Sequence, residues 1–323
     1  MLNANLLYMH KRGRKMSESF ERRASVPSHA VNVNWKLFFL AGVSSSAGAT
    51  VGNPMDVIKI RLQLDNELSY HKHAVRKYNG MLRGLKTLVY EEGFGAIWKG
   101  WSAAVLREMS FSAIRMGSYE PIKYQIGGTD RANTPMTLKI AAGAIAGAIG
   151  AVISNPTDVI KVQMQARVST TRHASFQNVV RDIYRNGGVR SFYIASGPNI
   201  WRAVHATASQ MPAYDHSKQT FLKRGIMVEG LPLHLTCSII AGFANAVATA
   251  PIDVIKTRLI KQSMDMSAKY RSPLDVVIKT VRTEGLRGLY KGFIPVWARI
   301  APHTIVTFAV FEQLRLLAGI SPL

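Results

Sequence analysis

One pattern, repeated three times, limits what this chain can fold into. Pro54-Met55-Asp56-Val57-Ile58-Lys59 returns as Pro156-Thr157-Asp158-Val159-Ile160-Lys161 and again as Pro251-Ile252-Asp253-Val254-Ile255-Lys256. The prolines are 102 and 95 residues apart. A second motif follows each copy: Glu92-Gly93 to Trp98-Lys99-Gly100, Gly187-Gly188 to Tyr193, and Glu284-Gly285 to Tyr290-Lys291-Gly292. A third comes later in each unit, as Tyr119-Glu120-x-x-Lys123, Tyr214-Asp215-x-x-Lys218 and Phe311-Glu312-x-x-Arg315. Three motifs in one order, three times over, define tandem units of about 100 residues that bury their apolar faces against one another. The repeats are expected at 34–131, 132–228 and 229–323.

Each unit opens on an uncharged run that ends at its Pro-x-Asp. Leu37 to Met55 spans 19 residues, Ile140 to Thr157 spans 18 and Leu231 to Ile252 spans 22. A helix needs about 17–25 residues to cross a bilayer. The runs are rich in Gly, Ala and Ser, which allows close helix approach in lipid. The second half of each unit is apolar but interrupted by Arg107, Arg202 or Arg299, each 13 residues before the acid of the third motif. On a helix that spacing is about 20 Å, so the same depth is cationic three times. These stretches keep the mean hydropathy down to +0.04. The expectation is an all-α membrane protein of six transmembrane helices in three helix–loop–helix repeats.

The charge balance has to be placed against that outline. Of 323 residues, 41 are Lys or Arg and 19 Asp or Glu, a formal net charge of +22. Alone, this admits a nucleic-acid binder or a membrane protein facing anionic lipid. The long loops 64–100, 166–197 and 262–292 carry 17 basic against 8 acidic residues, and the short connections 124–138 and 219–232 carry 3 against 2. The positive-inside tendency therefore puts the long loops on one face, and an even helix count puts both termini on the other. Residues 1–33 form a basic extension with Lys11, Arg12, Arg14, Lys15, Arg22 and Arg23, expected to be a disordered tail. Glu18 and Glu21 weigh against reading it as a targeting presequence. A lone Cys237 excludes a disulfide framework or a cysteine-built zinc site.

The full Pro-x-Asp-x-x-Lys signature in every repeat resembles the mitochondrial carrier family over residues 34–320, most closely its uncoupling-protein and dicarboxylate-carrier branch. The resemblance implies a pseudo-threefold six-helix barrel with short amphipathic matrix helices around a central cavity. It also implies residence in the mitochondrial inner membrane with both termini on the intermembrane-space side.

Asp56 and Lys59 are three residues apart and share a helix face, and charges at membrane depth must pair or reach water. With three copies around an axis, the acid of one helix can reach the base of the next. The resemblance implies the cycle Asp56–Lys161, Asp158–Lys256 and Asp253–Lys59 as a matrix gate. Pro54, Pro156 and Pro251 kink the odd helices. It implies a second cycle, Glu120–Lys218, Asp215–Arg315 and Glu312–Lys123, as a cytoplasmic gate. Gln63 and Gln165 match the family's braces on the first gate, Tyr119 and Tyr214 those on the second. The third repeat has Ile260 and Phe311 instead.

Arg107, Arg202 and Arg299 align with the family's substrate contact points. Three guanidiniums at one depth suit a small dicarboxylate or oxoacid, which they can grip bidentately. Arg115, eight residues after Arg107, is a further candidate for substrate contact in the same cavity; His205 and His303 line it or pack structurally, and Glu108 beside Arg107 pairs locally or blunts that site. Trp98-Lys99-Gly100 and Tyr290-Lys291-Gly292 resemble the family's cardiolipin sites, which Tyr193-Ile194-Ala195 does not match. The resemblance points to a carrier that works as a monomer and exchanges small organic anions by alternating access, without a cofactor. The alternative is an uncoupling-type proton or anion leak, with or without purine-nucleotide inhibition; the three arginines do not separate the two. Gln210, where that branch would place an acid, weighs against nucleotide control. No finger, RNP or helix-turn-helix pattern supports a nucleic-acid partner. No nucleophile–base set, phosphate loop or metal spacing supports an enzyme.

Overall fold

A computed structural model describes residues 35–65, 67, 77–78, 80–127, 134–167, 175–265 and 269–318. The basic extension 1–33 lies outside the described residues. Helix is the regular structure throughout, with no strand among the described residues. The first repeat contributes α1 (Trp35–Leu64), α2 (Met81–Glu92) and α3 (Trp101–Gln125). The second contributes α4 (Met136–Ile153), α5 (Asn155–Ala166), α6 (Phe176–Gly187) and α7 (Ser196–Lys223). The third contributes α8 (Leu231–Asp265), α9 (Pro273–Glu284) and α10 (Phe293–Leu317). A 3-10 turn follows each of α2, α6 and α9.

The chain is an all-α membrane protein of three repeats. Met136–Ile153, Pro232–Met264 and Leu286–Leu317 are long and apolar enough to cross a bilayer. Large apolar side chains stand outward along them, among them Ile145, Ile149, Phe243, Val247 and Trp297. Outward apolar surface on this scale fits lipid contact. Inside, small residues set the helix spacing. Ala142, Gly143, Ala146, Gly147, Gly150 and Ala151 form the buried stripe of α4. A Cβ at Gly143 would come within 2.9 Å of Thr207 on α7, and one at Gly150 within 3.3 Å of Phe111 on α3. Close approach of backbones replaces the hydrophobic effect as the source of attraction between helices in lipid.

The prolines act differently in the three repeats. α1 and α8 run unbroken through Pro54 and Pro251. In the second repeat the expected continuous helix is interrupted at Ser154, which separates α4 from α5 and leaves Pro156 at the start of the new helix. The Ser154 hydroxyl donates to the Gly150 carbonyl at 2.7 Å, and Thr157 Oγ1 donates to the Ser154 carbonyl at 2.7 Å.

On the long-loop side, α2, α6 and α9 are amphipathic and pack on the odd helices. Their inward positions recur at helical spacing: Gly84 and Leu88, Val179 and Ile183, Val276 and Thr280. Gly93, Gly188 and Gly285 end them at positive φ, a conformation that side chains disfavour. Gly100 and Gly292 then start α3 and α10 in the left-handed region. A Cβ at Gly100 would sit 3.0 Å from Gln165, and one at Gly292 3.2 Å from Gln63 and Lys59, so both glycines also hold the even helices against the signature motifs. Ala195 occupies this place in the second repeat at φ −104, where no glycine is needed.

Candidate functional site

The signature aspartates and lysines meet across repeats. Lys161 Nζ is 2.6 Å from Asp56, Lys59 Nζ is 2.7 Å from Asp253, and Lys256 pairs with Asp158. All three aspartates, Lys161 and Lys256 are buried. These are the pairs of the first cycle, and in this structure all three are closed.

The arginines of the even helices reach the same carboxylates. Arg299 Nη1 lies 2.7 Å from Asp56 Oδ2, Arg107 Nε 2.9 Å from Asp158 Oδ1, and Arg202 Nε 2.6 Å from Asp253 Oδ1. Each aspartate therefore takes a lysine from the next repeat around the ring and an arginine from the other. The second cation supplies further hydrogen bonds to lone pairs that a single buried lysine would leave unmet. Arg107 and Arg202 share the wall of a recess with Phe111, Asp158 and Asn199. Asn199 is a member that sequence reasoning missed. Its amide donates to Asp158 at 3.0 Å and to Asn155 at 2.5 Å. The corresponding positions in the other repeats are Ala104 and Val296, so no threefold signal marks it.

Gln63 and Gln165 lie beside the network but bond elsewhere: Gln63 accepts from Thr257 Oγ1 at 2.8 Å, and Gln165 donates to Asn53 at 3.1 Å. Arg115 is exposed, within electrostatic reach of Glu108 and Arg202. Glu108 accepts from Arg107 at 3.2 Å. His205 bonds the Trp201 carbonyl at 2.8 Å. His303 packs against Gly48, and its buried Nε2 has no hydrogen-bond partner.

At the opposite end, none of the three pairs of the second cycle forms among the described residues. Lys123 pairs within its own helix with Glu120 at 2.5 Å, and Lys218 pairs with Glu229 at 2.7 Å. Lys123 also lies over the rings of Tyr119 and Tyr124, and Arg315 over Phe311. Tyr214 bonds His234 rather than a charge of the cycle. Among the described residues the first ring is closed and the pairs of the second are not formed.

Two further clusters tie the loop helices to the ring. Glu92 is buried between Arg61, at 3.1 Å, and Lys99. Glu284 is likewise held by Arg258 at 2.7 Å and Lys291 at 2.6 Å. Lys99 and Lys291 are thus neutralised within the protein, while Gly100 and Gly292 leave the first turns of α3 and α10 next to Trp98 and Tyr290. In the second repeat the three positions are Gln163, Gly187 and Ile194, and the whole ion cluster is missing together. The signal was present twice in the sequence but not three times. Tyr270 adds a strut between the first and third repeats, donating to Glu67 at 2.9 Å. Burial, and then the Glu67 carboxylate, push its phenol above the ordinary range, so it remains a donor.

The sequence matches the family described as "Mitochondrial carrier protein" three times, at residues 31–129, 132–225 and 229–320. The mitochondrial substrate carrier family protein ucpB of Dictyostelium discoideum is 40% identical over 291 residues, covering 88% of this chain and 97% of the relative. Mitochondrial uncoupling protein 5 of Arabidopsis thaliana is 37% identical, covering 87% and 97%. The mitochondrial 2-oxoglutarate/malate carrier protein of Bos taurus is 34% identical, covering 85% and 89%. Three profile matches in register with three closed ion pairs leave one assignment: the chain belongs to the mitochondrial carrier family and is a transporter of that family.

Proposed function

We propose that this chain exchanges small organic dianions, dicarboxylates or oxoacids, across the mitochondrial inner membrane. The observation that carries the reading is the trio Arg107, Arg202 and Arg299, one per repeat, each within hydrogen-bond distance of a gate aspartate. A dianion entering the cavity competes with those aspartates for the guanidiniums. Once an arginine turns to the substrate, its aspartate keeps only the lysine, and the matrix ring weakens where the ligand sits. Binding is thereby spent on opening the gate, which is what alternating access requires. The open second ring supports reading this conformation as closed to the matrix and open to the cytoplasm. Closure of Glu120–Lys218, Asp215–Arg315 and Glu312–Lys123 then gives the opposite state.

The 2-oxoglutarate/malate carrier among the relatives supports the dianion class. The uncoupling proteins among them support a second reading, a proton or anion leak through the same arginines. Both termini on the intermembrane-space side agree with the basic long loops. Gly100 and Gly292 at helix N-termini, flanked by Trp98, Lys99, Tyr290 and Lys291, offer free amides to a phosphate and support cardiolipin contact. Two such sites are proposed, with none at Ala195. The barrel acts as a monomer around its own axis and performs no covalent chemistry.

Purified chain in liposomes tests this directly. Labelled malate or 2-oxoglutarate should exchange against an internal dianion, and Arg202→Ala should abolish exchange. Proton leak with no anion exchange would establish the second reading instead, and normal transport by Arg202→Ala would remove the arginines from the substrate site.

A further inference from the structure

Glu108 stands in the arginine layer but outside the ring of aspartates. Its Oε2 accepts from Arg107 Nη1 at 3.2 Å, and the two side chains are only 16% and 15% exposed. Arg299 and His303 on α10 and Lys161 on α5 act on it across the cavity. Arg115 acts on it from two turns further along α3. From α1, Asp56 acts on Arg299 and His303, and α4 carries Lys139 in its first turn. The symmetry-related positions in the other repeats are Ala203 and Ile300. The fold therefore does not require a carboxylate there. Charge alone makes it unfavourable, because a fixed negative group at the arginines works against the anion they are placed to bind.

The conflict resolves with one proton. An arriving carboxylate draws on Arg107 and Arg299, the cations that otherwise answer Glu108. Like charges drawn to one site cannot both stay ionised at low cost. We propose that Glu108 takes up a proton when an anion occupies Arg107 and Arg299, so that the carrier moves its anion together with a proton. The proton comes from water on the side to which the cavity is open. It leaves on the other side when the anion departs and Glu108 returns to Arg107. Linkage makes the effect reciprocal: the anion raises proton affinity and the proton raises anion affinity by the same factor. The inference rests on the anion-carrier reading and adds the coupling ion to it.

The test uses the full chain in liposomes loaded with malate, which exchanges for labelled malate outside, with the pH set equal on both sides. In the wild type the KM for malate should fall as the pH is lowered, by up to about tenfold per unit. In Glu108→Gln, exchange at whatever rate should have a KM indifferent to pH while malate stays a dianion, and Glu108→Asp should keep the response. A wild-type KM that does not move with pH would overturn the proposal, and so would a full response in Glu108→Gln. If Glu108→Gln fails to fold, the pH dependence of KM in the wild type and in Glu108→Asp decides alone. Absence of any labelled malate exchange in the wild type would instead strike the anion-carrier reading, and this inference with it.

Discussion

Arg299 grips both oxygens of Asp56, its Nη1 lying 2.8 Å from Oδ1 and 2.7 Å from Oδ2. Lys161 occupies the same carboxylate at 2.6 Å. A signature aspartate is therefore a three-centre node joining all three repeats, not one end of a two-residue bridge. This changes what a charge reversal should do. Asp56→Asn leaves two cations facing each other, and breaking a buried pair in this way costs about 3–5 kcal/mol. The double swap Asp56→Lys with Lys161→Asp should not rescue stability, because Arg299 then faces a lysine. Adding Arg299→Glu should restore the melting temperature while transport stays absent, since the cavity has lost a guanidinium. Melting curves in detergent and malate exchange in liposomes read the two outcomes separately. Recovery of transport by the double swap alone would contradict the node.

The second ring makes a prediction about motion. Lys218 pairs with Glu229 here, while its expected partner Glu120 pairs with Lys123. For the cavity to open toward the matrix, Lys218 must leave the loop and approach Glu120. Cysteines at 120 and 218, in a Cys237→Ser background, should cross-link faster during malate exchange than without substrate. The cross-linked protein should lose at least nine-tenths of its exchange activity, recovered on reduction. Cross-linking that is equally fast without substrate, or that leaves exchange intact, would show that this pair is not the gate.

The clamps on Glu92 and Glu284 should carry stability unequally among repeats. Glu92→Gln leaves Arg61 buried, 3% exposed, without its anion. That loss should amount to about 3–5 kcal/mol and lower the melting temperature clearly. Gln163→Ala, at the position equivalent to Arg61 in the second repeat, removes a buried neutral side chain and its 3.4 Å contact to Ser263, and leaves no buried charge without a partner. It should cost about 1–2 kcal/mol, less than Glu92→Gln. Equal shifts in a thermal-denaturation series would mean that the ion cluster does not hold α2 to α1.

The legible part of this protein was whatever the repeat wrote three times. Asp56, Asp158 and Asp253 with their lysines could be placed in one ring before any coordinates because three copies around an axis bring acids and bases together, while which base each acid takes was implied by the resemblance to the carrier family. The arginines were legible as a layer but not as partners of those acids. Their 13-residue spacing to the third motif sets depth and says nothing of how far a guanidinium extends toward the ring. What appears twice was half legible: Arg61, Glu92 and Lys99 have counterparts in the third repeat, but the gap in the second hides the pattern. What appears once was illegible. Asn199 bonds Asp158 from a position that is Ala104 and Val296 elsewhere, and the break at Ser154 occurs in the second repeat alone among the three signature prolines.

Two glycines on α1 separate packing from propensity. A Cβ at Gly48 would overlap Thr307 Oγ1 and fall 2.8 Å from the His303 carbonyl oxygen on α10, whereas one at Gly42 meets nothing within 4 Å. A backbone oxygen cannot rotate away, so Gly48→Ala must push α1 from α10. Overpacking of this kind typically costs 1–3 kcal/mol, about that much being expected here. It should also slow exchange, because α1 carries Asp56 and Lys59 and α10 carries Arg299. Gly42→Ala should be neutral or stabilise by about 0.5–1 kcal/mol, since alanine loses less backbone freedom in a helix. Melting temperature and malate exchange measured on both variants check the contrast. A stable, fully active Gly48→Ala would mean that the close contact of α1 with α10 is not needed for the cycle.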